Sequence, residues 1–314
     1  MGLGSVLPEH RSQMLMFSII IPCYNEGEDV RLAIESALGQ KYKNKEILVV
    51  DDSDDDTPRI IEEYLDGGVQ LIRGPDKGCC AARNVGMKSA RGDVVVLLNA
   101  DVVLPADFLD KILVHYEAGA DYVLVEQTIF NLERPLARFS ELERRAQWQN
   151  LGSLMEWTEG FSCRRQAALE VGLIPGDFSV RFCRDWFFGK KLSEGGFRKV
   201  IDRSIVVTDK TPETLGGFWH VRVARGRFAV LSQGCLWRYS VAFLLFKICA
   251  KDIVRIAEVL SVLPAAWRIC RIAGHSQKPL KDLAAAAYGY LVQSLGYAVG
   301  EWRGMRLLIA QQLP

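Results

Sequence analysis

Five short apolar runs, separated by stretches of helical pattern, constrain this chain most. "FSIIIP", "EILVV", "VQLI", "DVVVLL" and "DYVLV" follow one another within the first 126 residues. Consecutive Val, Ile and Leu without polar alternation belong to strands covered on both faces, as in a parallel sheet. Between them, "EDVRLAIESALGQ" brings Val30, Ile34 and Leu38 to one helical face, with Glu28 and Asp29 at its positive N-terminal end. "TPRIIEEYL" reads as a helix capped by Thr57 with Pro58 at its first position. "CCAARNVGMKSA" and "PADFLDKILVHYEAG" complete the alternation. The pattern predicts an α/β domain on a mostly parallel sheet flanked by helices.

Ligands of such sheets bind in the loops beyond the strands' carboxyl ends. Those loops here are "PCYNEGE", "DDSDDD", "RGPDKG" and "NAD", each polar or charged. A formal net charge of +1 over 314 residues supplies no general pull toward polyanions, so nucleic acid is not an expected partner. The eight cysteines and four histidines are dispersed without zinc-ligand spacing. Most of the cysteines read as small buried side chains of a protein in a reducing compartment, the cytoplasm by default. Residues 1–16 lack the features of a secretory signal and read as an N-terminal extension.

Beyond residue 130 the rhythm loosens. "SELERRAQWQN", "RRQAALEVG" and "RDWFFGKKLSEGG" read as helices, and "FRKVIDRSIVVT" as one or two strands. The composition then turns basic, aromatic and apolar, which predicts a helical C-terminal region over residues 211–314. Lys247, Lys251, Asp252 and Arg255 interrupt its longest apolar stretch, so a simple bilayer span is not the expectation. Two placements stay open for these helices: peripheral contact with a membrane, or packing on the α/β domain.

Asp51 to Asp56 hold five carboxylates in six residues. Asp54, Asp55 and Asp56 read as solvated turn residues. Asp51 and Asp52 stand at the end of a buried strand, where a carboxylate can accept a hydrogen bond from the ring N–H of a nucleobase. "EILVVDDSDD" also looks like the start of a phosphoacceptor receiver domain, with Asp101 as a third acid. A whole strand and helix precede that segment, however, and a receiver begins at it.

Together, "SIIIPCYNEGEDVRLAIESALGQ", "EILVVDDSDDDT", "KGCCAARNVGMKSARGDVVVLLNAD" and "EGFSCRRQAALEVG…RDWFFGKKLSEGGF" resemble the family 2 glycosyltransferases of the GT-A fold, from about Phe17 to Val207. The resemblance implies a GT-A domain at residues 17–210, a nucleotide-diphosphate sugar donor and Mn2+ or Mg2+. It further implies inverting transfer to the hydroxyl of a glycan or lipid-linked acceptor, at the cytoplasmic face of a membrane. Carried over by position, Pro22, Tyr24 and Glu26 would line the nucleoside pocket from the first loop. Asp52 would face the base, Lys77 would reach a phosphate, and Arg83 with Asn84 would close over the nucleotide. Asn99 would meet the ribose hydroxyls, Asp101 would hold the metal, and Asp185 would be the catalytic base. Each has a plainer alternative: packing for Tyr24, a solvated amine for Lys77, a helix cap for Asp185.

The chain departs from the family pattern twice. Asn99 stands where the family's Asp-x-Asp motif has its first acid, and Arg184 where a Glu precedes the base. An amide keeps an acceptor oxygen and adds donors, but removes a negative charge near the cation. Two alternatives follow: a polyprenyl- or dolichyl-phosphate sugar synthase, or a non-catalytic nucleotide-sugar-binding protein. Trp157, Glu159 and Gly160 read as the acceptor side, with core packing the alternative for the indole. His220, Arg222, Arg225 and Arg227, beside Trp219 and Phe228, form a cationic stretch suited to a lipid diphosphate or anionic headgroups.

Overall fold

A computed structural model describes residues 14–175, 185–235, 238–261 and 263–312. Its strands are β1 (Phe17–Cys23), β2 (Lys45–Asp51), β3 (Val69–Arg73), β4 (Val94–Leu97), β5 (Val102–Val103), β6 (Tyr122–Ile129), β7 (Phe161–Arg164) and β8 (Lys199–Asp209). They form one sheet in the order β3-β2-β1-β4-β7-β6-β8-β5. The β3-β2-β1-β4 half is parallel throughout, and β6 pairs parallel with β8. β7 runs antiparallel to both β4 and β6, and β5 antiparallel to β8. The sheet is therefore mixed, with its parallel half where the apolar runs are longest.

Helices α1 (Asp29–Leu38), α2 (Thr57–Glu62), α3 (Cys79–Ser89) and α4 (Phe108–Glu117) alternate with the early strands. α5 (Pro135–Leu151), α6 (Arg165–Glu170) and α7 (Asp185–Glu194) belong to the second half. The continuous apolar runs are explained by two cores. Ile19, Ile21, Val49 and Val96 join Val30, Ile34 and Ile112 on one face. Ile20, Val50, Val95 and Leu97 join Met87 and Phe188 on the other. Period-2 alternation thus sends successive side chains into opposite cores, both apolar.

One local expectation is corrected. Thr57 is the first residue of α2 rather than its cap, because its hydroxyl accepts the Gly27 N–H at 2.9 Å instead. Asp55 Oδ1 accepts the Thr57 N–H at 2.9 Å, the bond a capping side chain would make.

After the sheet come α8 (Leu215–Cys235), α9 (Val241–Ser261), α10 (Leu263–Ala273) and α11 (Pro279–Gln312). α11 lies along α8 and α5, and Gln293 donates to Glu143 of α5 at 2.5 Å. The C-terminal helices are thereby packed on the α/β domain. Among the described residues, no helix is long and apolar enough to cross a membrane.

Candidate active site

The loops after β1 and β2 are stapled together. Asn25 Nδ2 donates to Asp54 Oδ1 at 2.7 Å, and the Asp54 N–H donates back to Asn25 Oδ1 at 3.0 Å. The Asn25 N–H reaches Ser53 Oγ at 2.8 Å, and that hydroxyl donates to the buried Asp51 at 2.6 Å. Asp51 is thus spent on holding the loop, while the neighbouring Asp52, also buried, is tied elsewhere. Asp52 Oδ1 accepts the Asp76 N–H at 2.7 Å, which ties the β2 loop to the loop after β3. Gly74 makes this approach possible, since a Cβ there would stand 2.2 Å from Asp52 Oδ1.

On these loops Tyr24 is half exposed and Lys77 is exposed. Glu26 has its carboxyl pushed up to about 7 by burial, then by Asp29 and Asp55. Pro22 is a correction of place. It lies within β1, buried, because strand pairing continues past it to Cys23 opposite Asp51. It shapes the strand end and does not belong to the loop.

Arg83 organises the centre. It rises from α3 and is 1% exposed. One Nη donates to Asp185 at the start of α7, the other to Asn99 Oδ1 after β4. Its guanidinium lies 5.1 Å from the centroid of the Trp157 ring. Burial opposes its charge, but Asp185 and the neighbouring cysteines outweigh that and raise its pKa further. A guanidinium has only donors, so this contact fixes the Asn99 amide with its oxygen toward Arg83. Trp157 stacks on Phe161 with ring centroids 4.5 Å apart, so its faces are occupied by packing and by Arg83.

Asn84 makes a two-way bond to the Ile174 backbone, at 2.7 and 3.1 Å, and so fastens α3 to the chain leading toward α7. α7 itself sits against the segment before β7 through Gly189, whose Cβ would fall 1.7 Å from the Glu156 carbonyl oxygen. Arg184 lies outside the described residues. At Asp185, both hydrogen bonds seen among the described residues fall on Oδ1, from Arg83 and from Cys80 Sγ at 3.5 Å.

Beside Asn99 opens a cleft of about 240 Å³ lined by Asp101, Gln127, Glu159 and Asp209, with Arg144, Arg222 and Arg225 among its cations. The carboxyls repel one another. Asp101 is pushed well above the usual range by burial, then by Asp209, Glu159 and Glu26. Glu159 rises to about 7, through burial first and then Asp209 and Asp185, against the pull of Arg83 and Arg144. Its Oε2 is buried without a hydrogen-bond partner among the described residues. Burial likewise raises Asp209, although Arg144 Nη2 is 3.0 Å away.

Asp209 and Arg144 were missed at the level of sequence. Asp209 ends a strand that runs parallel with β6, so the carboxyl-end rule that singled out "NAD" applies to "VVTD" as well. Of the basic stretch on α8, Arg222 is 3% exposed and is used in the fold. It pairs with Glu143 at 3.0 Å and lies over Phe218. Arg225 is exposed on the same helix, at the cleft.

Among the described residues no three His, Cys, Asp or Glu side chains form a ready cage for a metal. The donors fit a cation shared with a ligand instead. Mg2+ and Mn2+ are held through one or two carboxylates with phosphate oxygens completing the shell. Asp101, crowded by negative charge, and the orphaned Glu159 oxygen are groups such an ion would relieve.

A partly parallel sheet whose polar loops converge on an acid- and arginine-lined cleft defines an α/β protein of GT-A type. The family model for glycosyl transferase family 2 matches residues 18–179, just over half of the chain, and the chain belongs to that family. A 90-residue stretch is 41% identical to the Escherichia coli UDP-Glc:alpha-D-GlcNAc-diphosphoundecaprenol beta-1,3-glucosyltransferase WfaP, covering 28% of this chain and 36% of that one. Over 229 residues it is 25% identical to the poly-beta-1,6-N-acetyl-D-glucosamine synthase of Staphylococcus aureus (strain COL), covering 68% of this chain and 55% of the relative. The matches thus span about a third to a half of these relatives' lengths. The fold is shared with the mannosyltransferase PcManGT of Pyrobaculum calidifontis, solved with GDP-Man and Mn2+. That likeness has a TM-score of 0.54 and 18% identity, over 96% of this chain and 88% of that one. S. aureus TarS 1-349 matches with a TM-score of 0.52 and 16% identity, over 93% and 92%.

Proposed function

We propose that this protein transfers a sugar, with inversion, from a nucleotide-diphosphate sugar to the hydroxyl of a lipid-linked or growing glycan acceptor. The observation that carries the reading is the Arg83 clamp, which ties Asp185 to Asn99 at the edge of the cleft that holds Asp101. A competent site needs its base and its donor-binding groups held in fixed relation. One buried guanidinium does this for elements far apart in the chain.

In this reading Asp52 selects the base, with Tyr24, Glu26 and the end of β1 around the nucleoside, and Lys77 near the phosphates. Asn99 presents its N–H2 toward the ribose, since its oxygen is taken by Arg83. The acceptor hydroxyl gives its proton to Asp185 as its oxygen bonds the anomeric carbon from the face opposite the diphosphate. The bond to the leaving oxygen breaks, and the diphosphate departs with the electron pair. Mn2+ or Mg2+ held by Asp101 would neutralise charge on the two phosphates. Arg225, exposed at the cleft, would meet an anionic acceptor there. The WfaP relative's diphosphoundecaprenol acceptor supports a lipid-linked partner, with the work done at the cytoplasmic face of a membrane. The proposed division into a catalytic domain at 17–210 and helices at 211–314 follows the same reading.

The test is nucleoside diphosphate release with purified lipid-linked acceptor, comparing wild type with Asp185→Asn. Loss of turnover by about a hundredfold or more, with donor affinity kept, is expected of a general base. Substantial retained turnover would point instead to a phosphate acceptor, which needs no base.

A further inference from the structure

α9 is built inside out. Two of its cations turn toward α11: Lys251 and Arg255 reach the buried Glu301 at 2.5 and 2.8 Å. Glu258, also buried, accepts from Tyr290 at 2.5 Å and forms an ion pair with Arg268 of α10 at 2.9 Å. Leu244 and Ile248 complete this inner face. On the opposite face Phe243, Phe246, Ile253 and Ile256 recur at helical spacing and stand in the open, Phe246 at 72% and Ile253 at 67% exposure. Val254 extends the stripe, and α10 adds Trp267 at 62% exposure. A helix in contact with water has the reverse arrangement. Contiguous exposed apolar side chains of this size mark a surface meant to be covered.

The charges around the face say what covers it. A groove of about 590 Å³ between α9 and α10 is floored by Phe243, Phe246 and Val254, with Lys247, Lys251, Arg255 and Arg268 along its edge. Lys247 donates to the neutral Gln233 at 2.7 Å and has no ion-pair partner among the described residues, and Arg271 lies over Trp267 at 5.6 Å. Glu301 of α11, Asp252 and Glu258 take up Lys251, Arg255 and Arg268, which leaves Lys247 and Arg271 as the positive charge of the outer face. A second copy docked by the same face would bring two net-positive surfaces together. An anionic lipid surface takes the apolar stripe into its acyl boundary, the indole at the headgroup level and the cations against the headgroups.

We propose that the outer face of α9 and α10 is an in-plane docking surface for an anionic lipid bilayer. Because no described helix is long and apolar enough to cross, the pair lies along the interface. The surface is separate from the catalytic cleft, so it stands or falls apart from the transfer chemistry.

The experiment is co-sedimentation of the full chain with vesicles of phosphatidylcholine, with and without phosphatidylglycerol. Phe246→Ser with Ile253→Ser is the test variant, and Val114→Ser, exposed on α4, is the control. Circular dichroism checks the fold, and nucleotide-sugar binding checks the cleft. Wild type and control are expected to bind the anionic vesicles and to be released by salt. The double variant should bind at least about tenfold more weakly with its fold and donor binding intact. Equal binding by the double variant, or no binding by wild type, overturns the proposal. So does a wild-type dimer in sedimentation velocity that the double variant loses, which would assign the face to a second copy.

Discussion

Arg83 and Asp185 lie 102 positions apart in the chain and meet as a buried ion pair, the arginine side chain 2% exposed. The same guanidinium also holds Asn99. Arg83→Ala leaves the Asp185 carboxylate without its cation and should cost about 3 kcal/mol of stability in urea unfolding. Arg83→Lys keeps the charge but not the planar fork that serves two acceptors at once. It is expected to fold, to retain KM for the donor within a few-fold, and to lose kcat by at least about tenfold. Wild-type kcat in Arg83→Lys would contradict the clamp.

Asn99 removes one negative charge beside Asp101 while its amide oxygen still serves Arg83. Asn99→Asp keeps that acceptor and returns the charge. Mn2+ affinity in the presence of nucleoside diphosphate should then rise by roughly threefold to tenfold in isothermal titration. An unchanged affinity would mean that position 99 lies out of the cation's reach.

Glu159 carries a stability-pH signature. Its carboxyl titrates at about 7 in the fold, mainly through burial, against 4.5 for an ordinary Glu. Between those values the folded state holds a proton that the unfolded chain has released, so stability falls as pH rises through about 7. The loss from pH 5.5 to 7.5 should be on the order of 1–2 kcal/mol for this group. Glu159→Gln should flatten the slope, read as Tm against pH in the absence of nucleotide and metal. A slope unchanged in the variant would assign it to other groups.

The contact between Gly74 and Asp52 is a steric prediction. A methyl at Gly74 would fall 2.2 Å from Asp52 Oδ1, so Gly74→Ala must push the carboxylate or the β3 loop aside. Stability should drop by about 1–3 kcal/mol. Affinity for the nucleoside diphosphate should drop about tenfold or more, measured by calorimetry. Full affinity in Gly74→Ala would remove Asp52 from base recognition.

What was legible in the sequence follows the range of the forces involved. The parallel half announced itself because Ile19 and Ile20, or Val49 and Val50, fill opposite cores and leave no polar alternation. β7 did not, since "FSCR" is too short to show a period and owes its place to pairing with β4 and β6. "NAD" and "DDS" stood out by the carboxyl-end rule, while Asp209 at the end of β8 obeys that rule unnoticed inside a looser region. The bonds of Arg83 to Asn99 and Asp185 join three separate elements, which no local pattern encodes. The α9 segment read correctly as apolar and basic together. Which face its charges take depended on Glu301 and Tyr290 of α11, far along the chain.

The most direct measurement is donor binding by thermal shift with UDP-, GDP- and dTDP-sugars, each with and without Mn2+, in wild type and Asp101→Ala. A metal-dependent rise in Tm with one nucleotide, absent in the variant, is the expected result and would name the base. No rise with any donor in the folded wild type would contradict a working nucleotide-sugar site.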